Sequence, residues 1–275
     1  MISIVLPSFN RAHILPKAVE SILRQTYKDF ELIIVDDGSS DNTCEVVKDF
    51  NDDRIVYVHQ ENAGACVARN NGIDHARGEY IAFQDSDDVW HEDKLEKQLT
   101  TLRNTGADVV FCRMNRMSDG KNVGLVSDYF HEGFLSKEEL PMSIGTQTLM
   151  GKSAVFKQEK FDPEMPRFQE FEMLVRVQRS FSIYCMEEPL ADYHLQNDSI
   201  SVKPASIEKA WKLMLKKHSD FFKVYNTSRE RVARDIQLNA KSVSAFSQRM
   251  RLALFSLSIS KSPKTLARFV KWFVL

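Results

Sequence analysis

Tyr80-Ile81-Ala82-Phe83-Gln84-Asp85-Ser86-Asp87-Asp88 is the stretch on which the fold turns. Its first four residues are apolar with an aromatic at each end, the pattern of a short buried strand. Three carboxylates then arrive within four residues. Carboxylates this close repel one another unless a cation sits among them. Oxygen-only donors suit Mg²⁺ or Mn²⁺ rather than zinc. The carboxyl edge of a parallel strand is also where open α/β sheets bind ligands. Taken alone, the cluster reads more readily as a solvated acidic turn, with Asp88 capping a helix that starts near Trp90.

The chain on either side repeats the strand-then-turn pattern. Ile2 to Leu6 is a near-continuous apolar run, as expected of a strand covered on both faces. Ile14/Leu15, Ala18/Val19 and Ile22/Leu23 recur at intervals of four and predict an amphipathic helix. A second strand over residues 30–35 stops at Asp36-Asp37-Gly38-Ser39-Ser40-Asp41, a cluster of turn formers. Helices are expected over 43–50, from 65 to about 76, and over 91–103, with strands at 55–58 and 108–112. Such alternation predicts a parallel sheet of βαβ units. Beyond Met114 the rhythm weakens. Strands are expected near 121–129, 147–151, 183–186 and 190–194, and a helix over 167–179. Pro204 opens a helical tail, with helices expected over 205–224, 228–247, 248–258 and 263–275.

Composition is that of an ordinary globular protein, with 43% hydrophobic and 27% charged residues among 275. The net charge of -1 hides a split. Residues 203–275 hold 16 Lys and Arg against 4 Asp and Glu, which leaves 21 against 34 in residues 1–202. That asymmetry predicts an anionic surface as partner for the basic end. Cys44, Cys66, Cys112 and Cys185 are scattered, which fits a reducing compartment. The strand-like start leaves no room for a signal peptide, and no apolar run approaches ~18 residues. A cytoplasmic location follows, with peripheral contact at the inner membrane face.

Two acidic clusters thus end two expected strands of one sheet. One can grip a nucleoside and the other a metal-bound diphosphate. Asp37 can accept a hydrogen bond from a base N–H, and Arg69 can contact base or phosphate. A turn closed by an Asx-type bond accounts equally for Asp36 and Asp37 on their own.

The stretches that carry these residues resemble family-2 glycosyltransferases. They are Ser3-Ile4-Val5-Leu6-Pro7-Ser8-Phe9-Asn10-Arg11, then ELIIVDDGSS at 31–40, NAGACVARNNG at 62–72 and QDSDDVW at 84–90. The match is dense over residues 1–100 and looser to about 202. The resemblance implies an α/β chain of GT-A fold, a Rossmann-like mixed, mainly parallel sheet flanked by helices, with a C-terminal helical extension. Residues 1–202 would form the catalytic domain, with a nucleotide-sugar half (1–112) and an acceptor half (113–202). Residues 203–275 would form a basic helical region. It further implies inversion at the anomeric carbon, a UDP-sugar donor, a divalent Mn²⁺ or Mg²⁺, and a glycan or lipid-linked acceptor in surface polysaccharide assembly. A second copy of the chain is a further expected partner; nucleic acid is not.

By the same resemblance, Pro7, Phe9, Asp37, Arg69 and Ser86 fall on nucleotide-binding positions. Asp87 falls on the metal position, with Asp85 beside it. Gln169-Glu170-Phe171-Glu172 matches the motif that carries the general base, which makes Glu170 the base where the family usually has Asp. As a helix-start carboxylate, Glu170 also suits the helix dipole. Gln196 stands where many relatives show His; His194, two residues away, is either a substitute or a structural histidine. Two other classes fit less well. A sugar-nucleotide pyrophosphorylase wants a glycine-rich loop after the first strand, and Pro7 to Arg11 has no glycine. A non-catalytic nucleotide-sugar-binding scaffold would fit Gln196 but not the retained carboxylates.

Overall fold

The computed structural model describes residues 1–126, 131–139, 141, 144–194, 204–224, 226–241, 243 and 245–274. They fall into two units: residues 1–137, 141–163 and 169–196 in the first, and 138–140, 164–168 and 197–275 in the second.

The first unit begins with β1 (Ile2–Ser8), α1 (Leu15–Leu23), β2 (Phe30–Asp36), α2 (Thr43–Lys48), β3 (Ile55–His59), α3 (Ala65–His75) and β4 (Tyr80–Phe83). It continues with β5 (Val89–Trp90), α4 (Lys94–Thr105), β6 (Val109–Ser118), β7 (Lys121–Leu125), β8 (Gly133–Phe134), β9 (Leu149–Lys152), α5 (Ser153–Gln158), α6 (Gln169–Ser180) and β10 (Ile183–His194). Strand order is β3-β2-β1-β4-β9-β6-β10-β5, with β7 on β6 and β8 on β10. β3, β2, β1 and β4 are mutually parallel. β9 runs antiparallel to β4 and β6, and β5 antiparallel to β10. The sheet is therefore mixed, where the βαβ rhythm alone predicts parallel pairing. The reversed strands have no crossover helix to announce them: β9 follows a turn, Thr146–Thr148.

Every residue of β2 and β4 is buried. Their alternate side chains feed two cores, which is why their sequences read as apolar runs. Ile2, Ile4 and Leu6 face the core shared with Leu15, Val19 and Ile22 of α1 and Leu95 and Leu99 of α4. Val5, Ile33 and Phe83 face the other, with Ala68 and Ile73 of α3, Phe156 of α5 and Leu174 of α6. Phe83 meets Phe156 and Phe161 edge-on at 4.9 and 5.3 Å. Truncating such a ring costs about 3–5 kcal/mol. Gly72 lets α3 approach this face, since a side chain there would collide with Val5. The in-register pairs Ser8↔Asp36 and Val5↔Phe83 bring the ends of β1, β2 and β4 to one sheet edge.

Three sequence expectations shift here. Trp90 lies in β5, paired with Ala191, so α4 starts only at Lys94 and Asp88 caps no helix. β6 runs to Ser118, beyond the expected 112, because β7 and β10 both pair with it. Residues 146–148 are a turn, and the strand begins at Leu149.

The second unit is helical: α7 (Pro204–Lys217), α8 (Ser219–Val224), α9 (Asn226–Lys241), α10 (Phe246–Ile259) and α11 (Pro263–Phe269), then a π turn over Val270–Val274. Trp211, Met214, Val232, Ile236 and Ala253 are buried within it. Ser262 caps α11 by accepting from the Thr265 amide at 3.2 Å. No described helix is long and apolar enough to cross a membrane.

Candidate active site

The acidic turn after β4 is closed by its own residues. The Gln84 amide continues the ladder to Val5 O at 3.0 Å, and its Nε2 donates to Asp88 O at 2.7 Å. Gln84 is fully buried and Asp88 nearly so. One Asp88 oxygen accepts from the His194 amide at 2.9 Å and the other from Gln147 Nε2 at 2.6 Å. Asp88 thus ties the turn to the end of β10 and to the 146–148 turn, 106 and 59 residues away. Burial, then the charges of Asp87 and Asp85, push its carboxyl well above the usual range. Three carboxyl groups remain crowded at this turn even after Asp88 has found two donors.

Asp85 and Asp87 are half-buried, and Ser86 between them is buried. Arg69 reaches Asp85 from α3: its Nη2 donates to Asp85 Oδ1 at 2.7 Å. Its Nη1 donates to Gln169 Oε1, the first residue of α6, at 2.9 Å. The guanidinium also lies 5.4 Å from the centre of the Phe161 ring. Burial works against its charge, and Asp85 outweighs that, so Arg69 stays protonated. Its Nε is buried without a hydrogen-bond partner. One side chain thereby joins residue 85 of the acidic turn to residue 169 at the start of α6. Glu170 is half-buried and its charge acts on both Arg69 and Cys66. Burial pushes the Cys66 thiol up to about 12, so this cysteine is no nucleophile.

Glu172 is placed differently. It is buried and accepts from Arg176 Nη2 at 2.9 Å, while the same guanidinium holds Glu159 at 2.6 Å. Residues two apart on a helix face different ways, and here one is spent on structure.

The acid pair after β2 is held by the protein itself. Asp36 accepts from the Ser39 amide at 2.8 Å and the Tyr57 hydroxyl at 2.5 Å. Asp37 accepts from Gln60 Nε2 at 2.7 Å, the Ala63 amide at 2.9 Å and the Gly64 amide at 2.8 Å. Asp36 thus makes the turn bond that its sequence allows, and Asp37 shapes the 60–64 loop. A carboxylate offers about four acceptor positions, so Asp37 retains about one for a ligand. Pro7 sits in β1, half-buried; Phe9 beyond it is 46% exposed at the sheet edge. Asn10 follows with φ of 53° and binds the Ser40 amide at 2.8 Å, joining the loops after β1 and β2.

His194 reaches the turn through its backbone amide, and its Nδ1 is buried without a hydrogen-bond partner. Gln196 lies outside the described residues. Gln147, Gln169 and Asp88 in its bridging role were not foreseen from sequence. A glutamine's worth as a linker depends on a partner far along the chain, so only the weak hint of apolar neighbours around Gln84 and Gln147 was there to read.

Among the described residues no three His, Cys, Asp or Glu side chains form a metal cage. The donors present fit a different arrangement. Mg²⁺ and similar ions are commonly held by one or two carboxylates plus substrate phosphates. Asp85 and Asp87 are such hard donors, and their charge is still felt by Asp88.

Known proteins share this fold. Residues 3–162 match the profile of Glycosyl transferase family 2. The chain belongs to that family and is a glycosyltransferase. It is 34% identical over 223 residues to TuaG of Bacillus subtilis, a glycosyltransferase named for teichuronic acid biosynthesis, covering 77% of this chain and 86% of TuaG. It is 38% identical over 125 residues to WfgD of Escherichia coli, a UDP-Glc:alpha-D-GlcNAc-diphosphoundecaprenol beta-1,3-glucosyltransferase. That match spans 45% of this chain and 49% of WfgD. An uncharacterized Rickettsia felis glycosyltransferase matches at 38% over 62% of this chain but only 28% of its own length. In fold, S. aureus TarS 1-349 with UDP-GlcNAc aligns with a TM-score of 0.63 at 17% identity, over 98% of this chain and 78% of that one. The Pyrobaculum calidifontis mannosyltransferase PcManGT, in complex with GDP-Man and Mn²⁺, aligns at 0.60 and 13% identity, over 99% and 83%. The fold is GT-A.

Proposed function

We propose that the chain transfers a sugar, with inversion, from a UDP-sugar to a hydroxyl of a glycan or lipid-linked acceptor in bacterial surface polysaccharide assembly. The observation that supports this reading is the Arg69 bridge, which joins Asp85 of the acidic turn to Gln169, the residue before Glu170, across 100 residues of sequence. Asp85 and Asp87 would hold the divalent ion, Mn²⁺ or Mg²⁺. When bound, that ion neutralises charge on the diphosphate leaving group. Glu170 takes the proton from the acceptor hydroxyl as it attacks the anomeric carbon from the opposite face. The C–O bond to the diphosphate breaks in the same step. Arg69 steadies Asp85 and offers its guanidinium to the diphosphate or base. Pro7, Phe9 and Ser86 line the nucleotide, and Asp37 receives a base N–H on its remaining acceptor position. The names of WfgD and of the TarS complex support a UDP-sugar; the Mn²⁺ complex of PcManGT supports the ion. The basic second unit makes peripheral contact with the inner membrane face, where a lipid-linked acceptor would lie.

Glu170→Gln and Glu172→Gln separate the base from its structural neighbour. Glu170→Gln should keep UDP binding and lose turnover by ~10²–10⁴-fold. Glu172→Gln should instead lose about 3 kcal/mol of stability, from breaking its buried pair with Arg176. Full turnover in Glu170→Gln overturns its role as base.

A further inference from the structure

Within the second unit, α7 and α10 enclose a groove of about 490 Å³. Lys209, Lys212 and Lys216 stand along its α7 wall and Arg251 on its α10 wall. Glu208 is the one carboxylate that lines it, and it is fully engaged: Arg251 Nε donates at 2.7 Å, Arg251 Nη2 at 3.1 Å and Lys212 Nζ at 2.7 Å. This bridge fixes a cation on each wall. Lys209 and Lys216 are exposed and have no carboxylate partner among the described residues. Leu213 and Leu252 lie at the base, and Lys212 rides 5.7 Å from the Phe255 ring. Two large apolar side chains of α10 stand bare in solvent, Phe246 at 70% and Leu254 at 53% exposure.

The terminal segment, which in sequence has the same mixture of basic and aromatic residues, is spent differently. Lys241 of α9 covers the Trp272 ring at 4.7 Å. Arg268 donates to Gln237 of α9 at 3.2 Å, and Thr265 of α11 is fully buried. Arg268, Thr265 and Trp272 are thus engaged with α9, and Phe269 meets Phe273 at 5.8 Å.

We propose that the α7–α10 groove seats the phosphate headgroups of anionic phospholipids, and that this face makes the membrane contact of the second unit. The inference rests on the membrane contact proposed above and assigns it a place. Four cations around one engaged carboxylate attract phosphate. Exposed Leu254, three residues beyond Arg251 and so beside it on the helix surface, suits the boundary between headgroups and acyl chains. A soluble acidic polysaccharide would use the cations and leave that apolar group without a purpose.

The test is cosedimentation of the full chain with vesicles of phosphatidylglycerol and phosphatidylcholine. The wild type should bind mixed vesicles, fail on pure phosphatidylcholine, and release as salt rises. Each of Lys209→Gln, Lys212→Gln and Lys216→Gln should lower partitioning about fivefold, and the triple variant by ~100-fold. A control triple, Lys17→Gln, Lys28→Gln and Lys121→Gln, makes the same charge change on exposed residues of the first unit and should bind as wild type. Absence of wild-type binding overturns the membrane reading and this inference with it. Wild-type binding that survives in the groove triple overturns the groove alone. Equal loss in both triples also overturns it, since general charge then explains the contact. Binding of soluble polygalacturonate through the same lysines, without vesicle binding, assigns the groove to an acidic glycan and overturns the lipid.

Discussion

The two acidic strand ends, Asp36-Asp37 after β2 and Asp85-Ser86-Asp87-Asp88 after β4, look alike in sequence and differ in how the protein treats their charge. After β2, five hydrogen bonds from amides, a glutamine and a tyrosine take up the two carboxylates. Their work is to shape loops. After β4, Asp88 is taken up by two neutral donors, while Asp85 meets the guanidinium of Arg69. Burial first, and then the charges of Asp87 and Asp85, raise the Asp88 carboxyl there. A cation would relieve that crowding of charge. Similar motifs thus divide into one that builds the rim of a site and one suited to bind through charge.

The largest expected effect comes from Asp87. Asp87→Asn should lower transfer by ~10²-fold or more, as for other electrostatic stabilisers of a transition state, with little change in unfolding free energy. EDTA should abolish transfer in the wild type, and Mn²⁺ or Mg²⁺ should restore it. If Asp87→Asn instead unfolds the protein while keeping its specific activity, the contrast between the two strand ends collapses.

Asp37→Asn should do the reverse. Its new amide would face backbone N–H donors, leaving one unpaired at a cost of about 1–3 kcal/mol. Urea unfolding should report that loss, and calorimetry should show weaker UDP binding as the 60–64 loop loosens. An unchanged midpoint with lost UDP affinity would sharpen the picture, giving Asp37 to the ligand rather than to the loop.

The smallest effect lies behind the acidic turn. Lys94 is fully buried, its Nζ 2.6 Å from Gln98 Oε1 and 3.8 Å from the centre of the Trp90 ring. Trp90 in turn donates to Gln147 O, whose side chain holds Asp88. Burial lowers the Lys94 ammonium to about 8. Between that value and about 10.5 the folded protein has released a proton that the unfolded chain keeps, so stability rises with pH. It is lost as pH falls from about 10.5 to about 8, below which both states hold the proton. Relative to Lys94→Met, the wild type should gain about 2 kcal/mol in urea unfolding between pH 7.5 and 9.5. Parallel pH profiles would mean that Lys94 stays charged, held by the Trp90 ring.

The elements most legible in the sequence are those whose neighbours lie close along the chain. β1, β2 and β4 are apolar runs because both of their faces are covered, and α1 shows its buried stripe at Leu15, Ala18, Val19 and Ile22. β5, the antiparallel direction of β9 and the turn before it were not legible, because pairing with a strand far along the chain leaves little local trace. The site divides in the same way. Its carboxylates stand out as clusters, whereas Gln147 and Gln169 resemble any other glutamine until their partners are seen.

By itself the sequence determined the chemistry on offer: acid groups at the ends of buried strands, Arg69 on a helix, a carboxylate pair at 170 and 172, and a basic tail. Hydropathy period and residue type act locally, so they survive in one dimension. Tertiary structure alone decided which groups were already spent. It paired Glu172 with Arg176, wrapped Asp37 in loop amides, buried Asp88 between two donors and turned Arg69 toward Asp85 and Gln169. The physical reason is that a charge's availability depends on burial and on donors within about 3 Å. Folding brings those donors from as far as 106 residues away.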